Sequence, residues 1–263
     1  MTNNLLTLNN IFSSQILFKD ENFLLAYKAP CIHSVSGKDI NSDNLINSLR
    51  PAYSDDNFPV NDILKDRGLM HRLDFETHGL LLIARNMMTM NSLLTQQKEG
   101  KIIKLYSAFI SESKSETPLL GFPKTDHKNN KIIESAFRAY GPGRKSVRPA
   151  ILNESGKKKI SLDNGSPYIT ELLNENKIKD AGENNITAIK IKLLRGFRHQ
   201  IRAHLAWKGK PIINDSLYGG SPYGNKLMAL RAFSLSFLDP ASDNRLSFSI
   251  PELSIKDLEL EWL

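Results

Sequence analysis

Asp74 is a carboxylate whose position in the sequence suits a catalytic role. It follows His71 and Arg72 and lies a few polar residues before the continuous apolar run Leu80–Ala84. Such a run is typical of a buried strand, so we expect Asp74 in a loop that a rigid strand holds in place. The position suits a catalytic carboxylate, although on these residues alone a turn-stabilising Asp is the simpler interpretation.

Basic residues are concentrated in one stretch of the chain. Between residues 184 and 231 there are nine Lys and Arg residues against one acidic residue, Asp215. Arg198 and Arg202 are four apart on the predicted helix Arg198–Lys208, where like charges cost about 0.2–0.5 kcal/mol unless a negative group lies beside them. That group could be a phosphate or a carboxylate elsewhere in the chain, and the alternative is a solvated basic face.

A second basic cluster lies in the middle of the chain. Its members are Arg144, Lys145, Arg148 and Lys157–Lys159, within a segment rich in Ser, Asn, Gly, Pro and Lys. Mobile basic side chains can neutralise a nucleic-acid backbone without reading its sequence. A solubilising loop explains the same residues equally well.

The composition is that of an ordinary globular protein of 263 residues, 40% hydrophobic and 24% charged. It excludes collagen-like, low-complexity and wholly disordered chains. The net charge of +7 fits a polyanionic partner such as nucleic acid, and it fits a basic protein without one equally well.

Cysteine usage and the N-terminal sequence bear on the compartment. The single cysteine, Cys31, excludes an internal disulfide and indicates a reducing environment. The first residues lack a basic segment followed by a long apolar one, and no stretch approaches the roughly 18 apolar residues of a membrane span. We therefore expect a soluble cytoplasmic protein that makes no membrane contact.

Motifs for other chemistries are missing or incomplete. His199 and His204 are five apart and would face different sides of a helix, unlike the i, i+4 histidine pair of a zinc protease, so we expect no metal. The segment Gly141–Ser146 lacks the Gly before Lys-Ser of a phosphate-binding loop, which argues against nucleotide hydrolysis. There is no GxSxG motif, and Cys31 has no clear base beside it in the sequence, so acyl transfer has no support.

Apolar periodicity predicts the elements that position these residues. We expect a hairpin over Ile16–Lys28, a helix capped by Asn86 that runs to about Lys98, and a strand over Ile102–Ile110 with Tyr106 near its middle. A loop-rich segment follows at about 112–183. Further strands are expected near residues 186–194, 227–237 and 246–250.

These elements indicate an α+β fold. Apolar runs joined partly by tight turns and partly by helices favour a largely antiparallel mixed central sheet flanked by helices. We expect one catalytic domain over residues 16–263, preceded by a flexible arm at residues 1–15.

Three sequence blocks, taken together, carry a family resemblance. They are HRLDFETHGLLLIAR at His71–Arg85, KLY at Lys104–Tyr106 and GFRHQIRAHLAWKGKPIINDSLYG at Gly196–Gly219. In this order they resemble the RluA-type pseudouridine synthase family, whose opening strand pair is similar to Ile16–Pro30. The resemblance implies the pseudouridine synthase fold and a cofactor-free isomerase that converts uridines of ribosomal or transfer RNA to pseudouridine.

The resemblance implies roles residue by residue. Asp74 matches the catalytic Asp, Tyr106 the Tyr that packs against the target base, and Arg202 the Arg that pairs with the Asp. Structured RNA is the implied partner, and we expect a monomer with no metal and no nucleotide cofactor. Seven further residues are expected to bind RNA: His71, Arg72, Thr77, Lys104, Arg198, His199 and Gln200.

The chain departs from the family pattern in three places. The usual Thr-Ser-Gly is Thr77-His78-Gly79, the usual Gly-Arg-Thr-His-Gln is Gly196-Phe197-Arg198-His199-Gln200, and a common His before the last strand is Arg231. In family terms Phe197, Arg198 and His78 would lie near the bound nucleotide, so we expect these departures to bear on which RNA is chosen.

Two alternatives stay open at this point. One is an RNA-binding protein of the same fold that has lost turnover. The other is an N-glycoside hydrolase in which Asp74 and Glu76, two apart in an extended segment, share a face and act as a carboxylate pair.

Overall fold

The computed structural model describes residues 3–35, 43–49, 68–111, 121–124, 131–151, 160–163, 165–179 and 185–260. The chain divides into two units. Unit 1 comprises Met1–Tyr106 and Arg231–Leu253, and unit 2 comprises Ser107–Leu230 and Ser254–Leu260.

Strands and helices alternate irregularly along the described residues. In chain order they are β1 (Asn3–Leu5), β2 (Gln15–Lys19), β3 (Phe23–Lys28), α1 (Leu45–Leu49), β4 (His78–Ala84), α2 (Met87–Lys98), β5 (Ile103–Ile110), β6 (Ile132–Tyr140), β7 (Ser146–Ala150), β8 (Tyr168–Lys179), β9 (Asn185–Leu193), α3 (Gln200–Trp207), β10 (Leu230–Leu238) and β11 (Arg245–Ser249).

Unit 1 is built around two strands that are buried along their whole length. β3 and β4 pair antiparallel from Phe23 opposite Ala84 to Lys28 opposite Gly79, and all their residues are buried. β2 flanks β3, which confirms the predicted hairpin, and β10 flanks β4. Strands shielded from water on both faces have nearly continuous apolar sequences, as these two strands do.

β10 joins β4 through a close approach that requires glycine. Arg231 and Ala232 pair in parallel with His78 and Gly79. Gly79 has φ 129°, and a Cβ atom on it would lie 2.2 Å from the carbonyl oxygen of Ala232. Glycine at this position therefore lets β4 begin directly beside β10.

The helix after β4 begins and ends as predicted. Asn86 is the N-cap of α2, and its side-chain oxygen accepts a hydrogen bond from the Thr89 N–H at 2.8 Å. The Gln96 side chain donates to the Leu238 carbonyl at 2.9 Å and accepts from the Leu238 N–H at 2.8 Å. This pair of bonds ties the helix to the end of β10.

The prediction of a flexible arm at residues 1–15 was wrong for its first described residues. β1 pairs in parallel with β11, with Asn4 opposite Phe248, and the Leu6 N–H donates to the Ser249 carbonyl at 2.7 Å. The edge of β11 offers unpaired backbone groups, and β1 satisfies them. A three-residue strand is too short to produce a periodicity from which it could be predicted.

Unit 2 has the strand order β5-β9-β8-β6-β7, with antiparallel pairing from β9 to β7. α3 packs against β7 and β8. The core of this unit contains Phe122, Phe137, Val147, Ala203 and Tyr218.

Three of these strands lie in the segment predicted to be loop-rich, at about 112–183. The prediction was wrong for β6, β7 and β8. β8 has the sequence YITELLNENKIK, and its many Asn, Glu and Lys residues are depleted in strands generally and obscure the alternation. The basic residues Lys157–Lys159 lie outside the described residues.

α3 begins two residues later than predicted. His199, just before it, has φ 54° in the left-handed region, and the Phe197 N–H donates to the Gln200 side chain at 2.9 Å. The chain therefore turns here instead of continuing as a helix. Arg198 lies outside α3, so the predicted repulsion between Arg198 and Arg202 on one helix face does not arise.

The fold class is α+β, as predicted. Strand pairing is mostly antiparallel, and β4 with β10 and β1 with β11 are parallel pairs. Within the residues that the structure describes, no helix has the length and apolar character needed to cross a membrane.

Candidate active site

Residues His71 to Thr77 form the loop that carries Asp74, here called the Asp74 loop. It leads directly into β4, as the apolar run after it predicted. Just before the loop, the Met70 N–H donates to the Leu82 carbonyl at 2.9 Å. The loop is thus anchored at both ends to a strand that is buried along its whole length.

Two buried side chains fix the backbone on either side of Asp74. The Ser34 hydroxyl donates to the Leu73 carbonyl and accepts from the Leu73 N–H, both at 2.9 Å. The Lys28 ammonium donates to the Phe75 carbonyl at 3.1 Å. The residues before and after Asp74 are therefore both tied to other segments, which limits how far the carboxylate can shift.

Lys28 is a fully buried cation at the end of β3. Besides Phe75, it donates to the carbonyls of Ala29 at 3.0 Å and Ile32 at 2.8 Å. Three carbonyl oxygens thus accept the three N–H groups of the ammonium. The sequence contained no signal for this role, because a lysine at the end of an apolar strand resembles any exposed strand terminus.

Burial also changes the proton affinity of Lys28. It lowers the pKa of Lys28 to about 7, against the opposing effect of the charges on Cys31, Asp74 and Glu76. A lysine that exchanges its proton near neutral pH makes the charge next to the Asp74 loop depend on pH.

Tyr106 belongs to the same unit as Asp74 and is buried on β5. Burial raises the pKa of its phenol, and the negative charge of Asp74 raises it further. Such an effect requires the two side chains to be near each other, so the structure brings together two of the three residues predicted to be catalytic. The phenol keeps its proton at neutral pH and can donate a hydrogen bond.

The four predicted RNA contacts of unit 1 differ in exposure. Arg72 is exposed, whereas Thr77 and Lys104 are buried and both ring nitrogens of His71 are buried. Burial, and after it the charge of Lys104, lowers the pKa of His71 to about 3, so its imidazole is neutral. Among the described residues, neither the His71 ring nor the Thr77 hydroxyl has a hydrogen-bond partner.

Two departures from the family pattern contact each other. Arg231 Nε donates to His78 Nε2 at 3.1 Å, and both side chains are buried. Burial, and after it the charges of Arg231 and Lys28, lowers the pKa of His78, so the neutral imidazole accepts this bond. Arg231 Nη1 also donates to the carbonyls of Pro251 at 3.3 Å and Glu252 at 3.2 Å. His78 is an internal link between β4 and β10, and its predicted position near the nucleotide stays a prediction.

Arg202 in unit 2 forms an ion pair with Asp215. No role for Asp215 was predicted from the sequence. Its Nε and Nη2 donate to the carboxylate at 2.7 and 2.9 Å, and the two side chains are 2% and 0% exposed. The guanidinium carbon lies 5.4 Å from the centre of the Tyr218 ring. A bidentate pair of this kind fixes the orientation of a guanidinium. Arg202 and Asp74 belong to different units, and the predicted pairing of the two stays a prediction.

Gln200 and Phe197 are embedded in unit 2. The Gln200 amide donates to the Ile169 carbonyl at 2.8 Å and to the Thr170 hydroxyl at 3.0 Å, and its oxygen accepts from the Phe197 N–H. Phe197 stacks on Phe137 with ring centroids 5.1 Å apart and planes 8° apart. Both residues thus stabilise the sheet and the start of α3, and their predicted positions near RNA stay predictions.

The last two predicted RNA contacts lie just before α3. His199 Nδ1 is 3.2 Å from the Tyr218 hydroxyl. Arg198 is exposed, and its Nη2 donates to the carbonyls of Arg144 at 3.0 Å and Ser146 at 3.3 Å. Arg198 therefore faces solvent and at the same time supports the turn between β6 and β7.

The arrangement in unit 1 suits a reaction in which one carboxylate, held in a fixed position, acts on the substrate. Asp74 has a constrained backbone, a protonated phenol near it and a lysine that titrates near neutral pH. Among the residues that the structure describes, no three His, Cys, Asp or Glu side chains are grouped so that they could hold a metal ion.

Comparison with known proteins decides the family. The model of the RNA pseudouridylate synthase family matches residues 23–207. The chain belongs to the RNA pseudouridylate synthase family. It is an isomerase that acts on RNA, and the resemblance to the RluA-type branch is confirmed.

Relatives of this family align along most of the chain. A Helicobacter pylori protein named as an uncharacterized RNA pseudouridine synthase is 30% identical over 254 residues, which cover 95% of this chain and 68% of that protein. The Buchnera aphidicola ribosomal large subunit pseudouridine synthase D is 25% identical over 261 residues, with 93% of this chain and 71% of the relative covered.

A solved structure of the family has the same fold. The human RNA pseudouridylate synthase domain containing 1 superposes with a TM-score of 0.63 at 20% identity, and the match covers 96% of this chain and 89% of the human one. The α+β pseudouridine synthase fold implied by the sequence blocks is thereby confirmed.

The buried lysine predicts a pH-dependent stability. The folded protein releases the Lys28 proton near pH 7, whereas an unfolded chain keeps it to about 10.5, so the unfolded state binds more protons between these values and stability rises with pH. The free energy of unfolding of the wild type, minus that of Lys28→Met, should therefore increase across this window in urea titrations. Lys101→Met, at an exposed lysine of the same unit, is the matched control and should show no such increase. A flat difference curve for Lys28→Met would contradict the burial of a titrating amine.

The Arg202–Asp215 pair predicts a coupled loss of stability. Arg202→Met leaves the buried Asp215 carboxylate without its partner, which should cost about 3–5 kcal/mol. The double variant Arg202→Met, Asp215→Leu removes that carboxylate as well and should recover part of the loss. A double-mutant cycle of unfolding free energies measures the coupling. Simple additivity of the two single substitutions would show that the pair does not hold this part of unit 2 together.

Proposed function

We propose that Asp74 is the catalytic carboxylate of this pseudouridine synthase and that its target is a uridine of ribosomal or transfer RNA. The observation that supports this most is the fixed backbone around Asp74, with Ser34 binding Leu73 and Lys28 binding Phe75. A reacting group is effective when its position is set before the substrate arrives.

The reaction moves the uracil on its ribose without a net change in atoms. The N1–C1′ bond breaks, the uracil turns, and a C5–C1′ bond forms. The proton lost from C5 is balanced by the proton that N1 gains. Asp74 acts as nucleophile or as electrostatic stabiliser at the sugar or the base while the glycosidic bond is broken. No cofactor is required, because nothing is oxidised and no group passes to a second molecule.

Tyr106 contributes a surface for the target base. A uridine that leaves its stack costs a few kcal/mol, and stacking on an aromatic side chain returns about 1–3 kcal/mol. Its raised pKa keeps the phenol protonated, so Tyr106 acts as a packing surface and hydrogen-bond donor near Asp74.

Arg202 keeps its proposed catalytic role. In this proposal Asp215 orients Arg202 through the bidentate bond. A guanidinium with one side fixed by a buried carboxylate can direct its remaining N–H groups to a second negative group.

Exposure supports one phosphate contact, and the names of relatives support a choice of RNA class. Arg72, which is exposed and lies two residues before Asp74 in the sequence, is the proposed phosphate contact of unit 1. Relatives named ribosomal large subunit pseudouridine synthase C and D support ribosomal RNA as the first candidate, with transfer RNA as the second. Such an enzyme fits the cytoplasmic location expected from the sequence.

Substitution of the carboxylate tests the proposal. RNA tritiated at uracil C5 should release tritium with the wild type, and Asp74→Asn should abolish the release because an amide can neither attack nor stabilise positive charge. Binding of the same RNA, measured by filter retention, should survive. Total ribosomal and transfer RNA from cells lacking this protein serve as the two substrates.

Controls separate the alternatives. Glu99→Gln, which removes an exposed carboxylate of unit 1, should release tritium like the wild type. Normal turnover by Asp74→Asn would refute the assignment of Asp74. RNA binding without release by the wild type on either RNA would indicate a protein without turnover, and free uracil among the products would indicate a glycoside hydrolase.

A further inference from the structure

The turn between β6 and β7 is an exposed, strongly basic feature of unit 2. We call Arg138, Arg144, Lys145 and Arg148 the basic hairpin. Arg144 and Lys145 are exposed in the turn, and Arg138 lies opposite Arg148 in the strand register. Residues directly opposite each other in an antiparallel pair have neighbouring side chains on one face of the hairpin.

The turn is held in one conformation despite its exposure. Gly141 and Gly143 have φ 75° and 63°, and Arg144 itself has φ 55°, a region that costs energy for residues other than glycine. Nη2 of Arg198 donates to the carbonyls of Arg144 and Ser146. The turn is therefore braced from outside by a fifth cation.

The base of the turn is fixed as well. The Tyr218 hydroxyl accepts from the Val147 N–H at 3.0 Å and donates to the Val147 carbonyl at 2.9 Å. Val147 and Tyr218 both belong to the core of unit 2. The basic side chains thus belong to a hairpin whose backbone is bonded to residues of the core. A loop that served only solubility would not need this support.

The cations of this surface differ from others in the same unit. Arg195 pairs with Asp163 at 2.7 Å and Lys192 with Glu171 at 2.9 Å, and Lys210 pairs with Glu175. Among the described residues, no carboxylate lies within ion-pair distance of the following four: Arg144, Lys145, Arg148 and Arg198.

We propose that the basic hairpin and Arg198 bind the phosphate backbone of the substrate RNA. This inference rests on the proposed function for the identity of the polyanion. Guanidinium groups offer several N–H donors in a planar fork that matches phosphate oxygens, and toward the described residues Arg198 donates through Nη2 only. Contacts of this kind set affinity and orientation without reading bases.

Salt dependence of binding tests the proposal. Each phosphate contact contributes about 0.7–0.9 to the slope of log K against log salt, so the triple variant Arg144→Gln, Lys145→Gln, Arg148→Gln should lower that slope by about 2. Between about 1 M and about 0.1 M salt the wild type should then gain about 100-fold more affinity than the variant. The probe is a fluorescein-labelled RNA stem-loop of arbitrary sequence, followed by fluorescence anisotropy.

A matched control removes the same charge elsewhere in unit 2. The triple variant Lys192→Gln, Arg195→Gln, Lys210→Gln takes away three cations that are already paired with carboxylates. It should keep the wild-type slope. If the slope fell equally in both triple variants, the effect would come from net charge alone and the proposal would be overturned. An unchanged slope in the hairpin variant would also overturn it. Thermal unfolding of both variants verifies that they fold.

Turnover separates this proposal from the proposed function. At saturating concentrations of an RNA that the wild type modifies, the hairpin variant should keep the wild-type kcat and show a raised KM, because the hairpin touches phosphate only. Loss of kcat with an unchanged salt slope would contradict the phosphate role. A hairpin-dependent salt slope in a protein that forms no pseudouridine would refute the proposed function and leave the RNA surface in place.

Discussion

The backbone around Asp74 is held by a buried hydroxyl and a buried ammonium, and the geometry of unit 1 depends on this arrangement. The pairing of β3 with β4 places Lys28 opposite Gly79, so the end of one strand lies beside the start of the other. A buried cation is costly unless it is fully bonded, and the three carbonyl acceptors of Lys28 meet that requirement. Since one acceptor is Phe75, the interaction that makes the buried lysine tolerable also fixes the residue after Asp74.

Much of the basic charge is used inside the fold. Arg231 binds the neutral His78, Arg202 binds Asp215, and Lys28 binds backbone carbonyls. The stretch 184–231 contains nine basic residues and one acidic residue. Three of these basic residues pair with carboxylates from outside the stretch, two of them on β8 and one just before β8. The net charge of +7 therefore overstates the surface available to RNA. Arg72, Arg144, Lys145 and Arg198 are among the basic residues that stay exposed.

The sequence allowed prediction of the parts that local rules govern. The hairpin, the capped helix α2 and the loop position of Asp74 follow from apolar runs, an Asn cap and a polar segment before a buried strand. The tethers from Ser34 and Lys28 could not be predicted, because they join residues that are distant in the chain. The prediction that the helix begins at Arg198 was wrong because His199 adopts a left-handed conformation, which no residue pattern indicates. Strands β6 to β8 were missed because their contacts, and not their composition, stabilise them.

The fixed backbone at Asp74 is proposed to set this carboxylate in its catalytic position. The most direct measurement is the single-turnover rate of Ser34→Ala on an RNA that the wild type modifies. Loss of the hydroxyl leaves both backbone groups of Leu73 without a partner, and a shift of about 1 Å at a reacting group can cost about 100-fold in rate. Ser236→Ala, which removes a hydroxyl bonded to the Leu246 carbonyl in the same unit, is the control. Ser34→Ala should lower the rate by about 10-fold to 100-fold with unchanged RNA affinity, and the control should keep the wild-type rate. A wild-type rate for Ser34→Ala would show that the fixed backbone does not set the catalytic position of Asp74.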